Sequence, residues 1–404
     1  MKKFSNYLLT LLFLGFLFAI GVYVQISPDK PISFNENRSL AQKPAVSAET
    51  VIDGTFTQQY ETYFTDQFAG RDVWVQGYLR WQQLTNQTFL SNYYVHEDNW
   101  VYPRPLGYFA GPSIDISTQR VQELESYAKE NGIEMFFFSL PARVISLEAP
   151  YPSYIDEGYE KKNKEYFLEK LPKEHLKTVD LGAAFEKKFS QEELRELYFQ
   201  TDHHWNIDGA FEGYQVIFDA LNGNSELVNE PPLNLENFQK QCYPDENFIG
   251  SYNKQLYEMV DTSDEACTIT PTSVDFNDFE VYAGEVRADL KVPWRQIYSR
   301  DLEKGAAYVE YSGTYTGDHR ELNIINPLKK DEGTKVLFLK DSYANPLTML
   351  LSQHFYQTTF YDIRYNQDRT LYEFLEKHDY DMIAFLYNDI TIFPGMYDFH
   401  LAEK

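Results

Sequence analysis

Cysteine is scarce in this sequence. Only two cysteines occur among 404 residues, Cys242 and Cys267. Because a structural zinc site usually needs four nitrogen or sulfur ligands, this pair fits no cysteine-based zinc site. Two interpretations stay open: a single disulfide, which would suit an exported domain, or two unreactive thiols.

Positive charge is also in short supply. The chain has 36 Lys and Arg against 61 Asp and Glu, a formal net charge of −25. Phosphates would be repelled, so the composition argues against nucleic acid or an anionic membrane surface as the partner of the main domain. Gly (20) and Pro (18) are too few for a collagen-like or low-complexity chain, and 17% aromatic residues exclude general disorder. The aromatics permit sugar stacking, although most serve a core.

Only one long apolar run is present. Residues 8–24 carry no charge, and about 20 such residues span a bilayer. Lys2 and Lys3 precede the run, which places the N-terminus in the cytosol. We expect residues 1–26 to form an uncleaved signal anchor, a single transmembrane helix in the cell membrane with the domain on the extracellular side. A cleaved signal peptide is the alternative.

The rest of the chain divides by pattern. We predict a polar linker and helical stalk at 27–95 and the first part of an α/β domain at 96–224. A mainly β insertion follows at 225–330, and the second part of the α/β domain is at 331–404. Strands alternate with helices in both α/β parts, as at 336–339, 358–361 and 382–386. This alternation predicts a parallel sheet with right-handed crossovers.

Three polar clusters follow predicted strands or open a helix. Lys340–Tyr343 follows a buried strand, Leu386–Asp389 ends the last strand, and Asp202–Trp205 precedes a helix. Ligands bind at the carboxyl ends of parallel strands, where these clusters would meet. A serine hydroxyl is a weak nucleophile, so Ser342 would need a base such as a histidine of the third cluster.

Each cluster has a structural alternative. A serine before a helix usually caps it, an Asn-Asp pair usually forms a turn, and adjacent histidines can be a satisfied structural cluster. A metal site is another alternative, built from Asp202, His203 and His204 with His319 or His354. Consecutive histidines on a helix point about 100° apart, which disfavours one shared ion.

The segment TDHHWNIDGAF at residues 201–211 resembles the signature of the bacterial DHHW proteins, which are similar to the alginate O-acetyltransferase group of SGNH-like hydrolases. The N-terminal motifs of that group are similar to Glu36–Arg38, Leu40–Ala41, Phe64–Phe68, Arg71 and Asn99–Tyr102. The resemblance implies a three-layer SGNH-like parallel sheet. Its order is permuted, because the acid and base precede the serine.

The resemblance also implies roles for individual residues. Asp202 would orient His204, the general base, and Ser342 would be the nucleophile. The candidates for the oxyanion site or for substrate contact are Asn388, Arg364, His203, Trp205 and Asp341, with Arg143 weaker. Lys340 and Leu386 stand where the family usually has glycine. A surface salt bridge is an equal alternative for Arg364.

The function implied is O-acetylation of a cell-surface polysaccharide outside the cytoplasm through an acyl-serine, with no cofactor or metal. The expected partners are a polysaccharide or acyl-donor substrate and a separate membrane-bound O-acyltransferase that supplies acetyl groups. Two alternatives stay open: a carbohydrate O-acetyl esterase, and a non-catalytic glycan-binding or scaffold protein of the envelope.

Overall fold

The computed structural model describes residues 2–400. Met1 and residues 401–404, the outer ends of the predicted segments 1–26 and 331–404, lie outside the described residues. The chain divides into two compact units. One comprises the residues up to Tyr93 with Asn253–Val260, and the other comprises Tyr94–Tyr252 with the residues from Asp261 onward.

The first unit begins with the helix Lys2–Ile26. Within it, Phe4–Ile26 is 23 residues long and apolar enough to cross a membrane by length and composition. A signal sequence near the N-terminus meets the same criterion. The predicted apolar helix is therefore present, and its topology in a membrane stays a prediction.

The N-terminal motifs of the first unit form one ion-pair cluster. Arg38 donates to both carboxylate oxygens of Asp66, at 2.6 and 3.0 Å, and the amide of Ala41 donates to Asp66 at 2.8 Å. Arg71 pairs with Glu36 at 2.5 Å. These bonds hold the segment after the first helix against later helices. The unit also contains the short strands Ile32–Ser33 and Arg38–Ser39 and the α-helices Ala48–Ile52, Thr55–Asp66 and Arg71–Leu84.

The second unit contains an eight-stranded sheet. Its strands in chain order are β1 (Glu134–Leu140), β2 (Leu176–Asp180), β3 (Glu280–Tyr282), β4 (Lys291–Val292), β5 (Glu321–Ile325), β6 (Lys335–Lys340), β7 (Gln357–Tyr361) and β8 (Met382–Asn388). The spatial order is β4-β3-β5-β7-β6-β8-β1-β2. Strands β7, β6, β8, β1 and β2 are parallel, and β5, β3 and β4 are antiparallel additions. The predicted α/β class with a mostly parallel sheet is confirmed.

The central strands are apolar on both faces, as expected for a covered parallel sheet. In β1, Phe136 and Phe138 belong to one core cluster, whereas Met135 and Phe137 belong to the other. Successive side chains point to opposite faces, so the helix Ile207–Asn224 covers one side and Gly111–Glu130 the other. The result is three layers.

Other elements complete the chain. The other α-helices are Arg143–Ser146, Glu160–Lys170, Leu181–Lys188, Gln191–Glu196, Ser251–Gln255, Arg300–Lys304, Tyr311–Thr314, Leu347–Leu351 and Leu371–Leu375. The 3₁₀ helices are Leu235–Asn237, Phe276–Asp278, Ala288–Leu290, Trp294–Gln296, Pro327–Lys329, Ser342–Ala344, Ile363–Tyr365 and Pro394–Tyr397. The short strands are Tyr93–Val95, Val101–Pro103, Phe238–Tyr243 and Ala266–Pro271.

Cys242 and Cys267 form a disulfide. They lie opposite each other in the antiparallel pair Phe238–Tyr243 and Ala266–Pro271. The structure thereby decides between the two interpretations of the cysteines in favour of the disulfide.

We expect replacement of both cysteines by serine to lower the free energy of unfolding by about 3 kcal/mol. The reason is that the cross-link closes a loop with a sequence separation of 25 and so restricts the unfolded chain. Denaturant unfolding of the wild type and of the double serine variant under oxidising conditions measures the effect. An unchanged unfolding midpoint in the double variant would contradict it.

Candidate functional site

The structure brings Asp202, His204 and Ser342 together in a line of hydrogen bonds. His204 Nδ1 lies 2.6 Å from Asp202 Oδ1, and His204 Nε2 lies 2.8 Å from Ser342 Oγ. The carboxylate accepts the Nδ1 proton, so Nε2 is the acceptor for the serine hydroxyl in this assignment. A hydroxyl, an imidazole and a carboxylate in this order form the arrangement of a serine hydrolase.

Ser342 lies at the carboxyl end of the sheet. It follows β6 and begins the 3₁₀ helix Ser342–Ala344, in which Asp341 caps the turn by accepting from the amide of Tyr343 at 2.9 Å. Its side chain is half-buried, whereas Asp202 and His204 are buried. The hydroxyl can therefore be reached while its partners are shielded from water.

Asp202 and His204 lie on a tight turn before the helix Ile207–Asn224. The turn begins where Asp264 accepts the amides of Gln200 and Thr201, at 2.5 and 2.8 Å. It ends at Asn206, whose side chain accepts the amides of Asp208 and Gly209 and so caps the helix. Both ends of the turn are fixed by hydrogen bonds.

The Asp202 carboxylate is held as an anion. It accepts the amide of His204 at 2.9 Å on Oδ1 and the amide of Ser251 at 2.6 Å on Oδ2. Burial opposes the charge, but His204 and these hydrogen bonds outweigh burial and hold the pKa of Asp202 well below its ordinary value. An ionised carboxylate in this position favours the imidazole tautomer with its proton on Nδ1 and would stabilise an imidazolium.

The imidazole of His204 is packed between two rings. Tyr311 stacks on it with centroids 3.7 Å apart and an interplanar angle of 3°, and the ring of His203 also lies 3.7 Å away. The Tyr311 hydroxyl donates to the carbonyl of Tyr343 at 3.3 Å. His204 is therefore restricted in rotation as well as hydrogen-bonded.

From inside the core, Trp205 supports the turn that contains Ser342 (residues 341–344, the serine turn). Its indole is fully buried, and Nε1 donates to the carbonyl of Tyr343 at 3.0 Å. This position gives it a structural contact in place of the substrate contact considered from the sequence.

Arg143 is likewise a structural brace. It is 2% exposed and donates to the carbonyls of Asp202 and Val101, both at 2.7 Å. Its guanidinium also lies 4.8 Å from the centroid of the Trp100 ring. These bonds tie the Asp202 turn to a neighbouring strand and leave Arg143 little access to a substrate.

Asp341 and Asn388 are bonded to each other. The Asn388 amide and Nδ2 both donate to Asp341 Oδ2 at 2.8 Å, and Thr391 Oγ1 donates to the same oxygen at 2.7 Å. Asp341 is buried, and burial raises its pKa. The pair joins the end of β8 to Asp341, the residue that precedes Ser342.

Arg364 belongs to a charged cluster beside the serine turn. It donates to Asp362 at 2.6 Å and to Asp318 at 3.1 Å. Asp318 also accepts from Lys340 at 3.2 Å, the residue that replaces the usual glycine. Of the two interpretations of Arg364, the structure supports the ion pair.

The charge of Asp318 should contribute to stability. Burial disfavours that charge, but Lys340 and Arg364 outweigh burial and lower the pKa of Asp318 to about 2. Since the folded pKa is depressed, the contribution is present above the unfolded pKa of about 4 and is lost as the pH falls toward 2. We expect Asp318→Asn to cost about 2 kcal/mol at neutral pH, with the gap narrowing on acidification.

Denaturant unfolding of both proteins across acidic pH measures this gap. The matched control is Asp379→Asn, because Asp379 is exposed. A gap that stays constant with pH would contradict the assignment of the effect to the Asp318 charge.

Metal binding was an alternative for the histidine cluster. Ligand atoms of Asp202, His203 and His204 do lie within 4.8 Å of one another. However, His204 uses both ring nitrogens on Asp202 and Ser342. His354 lies elsewhere, between Glu230 and Tyr214, each at 2.7 Å. The bonds of His204 to Asp202 and Ser342 therefore fit a line of proton transfer from Ser342 to His204 better than they fit a shared metal ion.

Ser251, Gly250 and Tyr311 are site residues that the sequence reasoning missed. All three lie within the segment 225–330, which we interpreted as a mainly β insertion. Nothing in the local sequence marks a serine whose partner is about fifty residues away in the chain. Only the tertiary fold brings Ser251 to Asp202.

Comparison with known proteins relates part of the chain to a known domain. Residues 95–281 match the model of the SGNH hydrolase-like domain of the acetyltransferase AlgX. Among curated proteins, none matches the chain.

Solved structures extend the match. Bacillus cereus PatB1 is 30% identical, with a TM-score of 0.67, and the match covers 75% of this chain and 98% of that one. The same protein with a sulfonyl adduct is 28% identical, with a TM-score of 0.65 and coverage of 75% and 97%. A DHHW family protein from Eubacterium siraeum shares the fold at 17% identity and a TM-score of 0.55, with coverage of 77% and 97%. The chain therefore belongs to the same family as Bacillus cereus PatB1 and contains an SGNH hydrolase-like domain similar to that of AlgX.

Proposed function

We propose that this protein transfers acetyl groups to hydroxyls of a cell-surface polysaccharide through an acetyl-Ser342 intermediate. The observation that supports this most is the hydrogen-bonded line from Asp202 through His204 to Ser342 Oγ. The match to the domain of an acetyltransferase supports acetyl as the group transferred.

The proposed reaction has two halves. His204 Nε2 takes the proton of Ser342 while Oγ attacks the acetyl carbonyl, and the imidazolium returns that proton to the departing donor group. In the second half, His204 takes the proton of the acceptor hydroxyl as its oxygen attacks the acetyl-serine. The serine oxygen then leaves and recovers the proton, so the enzyme is regenerated without a cofactor.

Two groups are suited to stabilise the oxyanion. The amide of Ser342 opens the 3₁₀ turn and has no hydrogen-bond acceptor among residues 2–400. Asn388 uses one Nδ2 proton on Asp341, and an amide nitrogen carries a second donor. Donors already in position lower the barrier because they need no reorganisation during the reaction.

The proposed location is the outer side of the cell membrane. The apolar helix Phe4–Ile26 can act as an anchor, and the Cys242–Cys267 disulfide suits an oxidising compartment. A domain there needs a donor brought across the membrane. We therefore propose a membrane-bound O-acyltransferase as its partner.

The test uses the full chain in detergent with a chromogenic acetyl ester. We expect a burst of released chromophore and one acetyl group on Ser342 by peptide mass analysis. Because the related PatB1 carries a sulfonyl adduct in one structure, a sulfonyl fluoride should block the burst. A wild-type protein that forms no acetyl-enzyme with the ester would overturn the proposal and favour the envelope scaffold.

An esterase remains the second candidate because the Ser342 side chain is half-buried and accessible to water. Product analysis separates the two functions. A transferase yields acetylated saccharide, whereas an esterase yields only free acetate in the presence of the same saccharide.

A further inference from the structure

We infer that His203 is the contact for the acceptor hydroxyl and that Ser251 sets its position. This inference rests on the proposed acetyl transfer. It assigns a role to the first histidine of the Asp-His-His-Trp motif, which the proton-transfer line leaves unused.

Ser251 contacts both sides of the motif. Its amide donates to Asp202 Oδ2 at 2.6 Å, and its Oγ lies 2.7 Å from His203 Nδ1. The Oγ atom also accepts the backbone amide of His203 at 3.3 Å. Ser251 therefore fixes both Asp202, the acid that orients His204, and the ring of His203, which lies beside His204.

Gly250 makes this approach possible. A Cβ at Gly250 would lie 2.4 Å from the carbonyl carbon and oxygen of Thr201, which real Cβ atoms essentially never do. The absence of a side chain lets the segment approach the backbone just before Asp202. The close approach of Gly250, together with the bond from the amide of Tyr252 to the carbonyl of Thr201 at 3.0 Å, fixes the backbone on both sides of Ser251.

His203 keeps one ring nitrogen uncommitted. Nδ1 bonds to Ser251, whereas Nε2 has no hydrogen-bond partner among residues 2–400 and is not among the buried unpaired atoms. The side chain is 38% exposed. Partial burial and the neighbouring His204 lower the pKa of His203, which keeps the ring neutral at neutral pH.

A neutral imidazole with a free Nε2 suits a hydroxyl group. Whichever tautomer is present, a hydroxyl can pair with Nε2, because it can both donate and accept. The His203 ring lies 3.7 Å from His204, whose Nε2 would remove the acceptor proton. An acceptor held by His203 is therefore oriented for attack on acetyl-Ser342.

The test uses the full chain in detergent, a chromogenic acetyl ester as donor and methyl β-glucoside as the acceptor probe. The burst rate reports acylation of Ser342, and acetyl-glucoside formation reports transfer. We expect His203→Phe to lower transfer about tenfold more than it lowers the burst rate, the effect of one lost hydrogen bond. We expect Ser251→Ala, which keeps its amide, to lower the ratio of transfer to acylation about threefold.

Conservative variants separate positioning from general damage. Ser251→Thr retains a hydroxyl and should restore the ratio, and His203→Gln should restore part of it. The matched controls are Ser126→Ala and His400→Gln, on exposed surfaces. Thermal unfolding shows whether each variant is folded.

The inference is overturned if the His203 and Ser251 variants lower acylation and transfer by the same factor while the wild type transfers acetyl to the glucoside. A wild type that never forms acetyl-Ser342, or that forms it but yields only free acetate, would instead overturn the proposed function itself.

Discussion

Replacing Ser342 with alanine is expected to abolish acetyl-enzyme formation and to lower kcat for an acetyl ester by roughly 10⁴- to 10⁶-fold. His204 Nε2 would lose the hydroxyl 2.8 Å away, its hydrogen-bond partner on that side. The amides and the packing around Asp202 do not involve the lost hydroxyl. The variant should therefore fold normally and keep only the weak catalysis that binding and the oxyanion donors provide.

Burst kinetics and mass analysis of the acylated peptide measure this effect. The matched control is Ser126→Ala, since Ser126 lies on the exposed face of the helix Gly111–Glu130 and bonds only to a backbone carbonyl in its own helix. We expect the control to behave as the wild type. A Ser342→Ala protein that still accumulates acetyl-enzyme would mean that another side chain is the nucleophile.

The sequence was sufficient for the five parallel strands of the sheet and for the three polar clusters, whereas the three antiparallel strands β3, β4 and β5 lie in the segment predicted as a separate insertion. Strands such as β1, with the sequence EMFFFSL, are apolar on both faces. This pattern indicates a sheet that is covered by other elements on both faces. The carboxyl ends of β6 and β8 then have to meet, because the two strands are parallel neighbours. This rule brings Ser342 and Asn388 to one edge of the sheet without any knowledge of side-chain contacts.

The contacts of long polar side chains were not predictable in this way. Arg143 and Arg364 both follow strands, and both were candidates for substrate contact, with Arg143 the weaker of the two. The structure commits Arg143 to buried carbonyls and Arg364 to Asp362 and Asp318. Whether an arginine is free depends on which acceptors the fold places around it, and three of these acceptors, Asp202, Val101 and Asp318, lie more than 40 residues away in the chain.

The role of Lys340 shows the same limit. A lysine in place of the usual glycine weakens a motif when only the sequence is considered. In the structure its amine is buried and donates to Asn345 at 2.5 Å and to Asp318 at 3.2 Å. Because Asn345 and Asp318 accept from the Lys340 amine, the lysine fits at this position without disrupting the serine turn.

Asp202→Asn is expected to lower kcat for the acetyl ester by roughly 10⁴-fold, with little change in the fold. The asparagine amide can donate to His204 Nδ1, where the carboxylate accepted, and this favours the tautomer with the proton on Nε2. A protonated Nε2 cannot take the proton of Ser342. The imidazolium that forms during the reaction would also lose its anion at 2.6 Å.

Nitrogen NMR of the histidine tautomer and burst kinetics measure the two parts of this prediction. The matched control is Asp208→Asn, a partly exposed carboxylate paired with Lys240 at 2.7 Å, which should leave the burst rate near that of the wild type. If Asp202→Asn instead retained the wild-type rate and tautomer, the Asp202 carboxylate would have only a structural role. That role would be its bonds to the amides of His204 and Ser251. Loss of rate with the tautomer changed and the fold intact is the result that assigns Asp202 to catalysis.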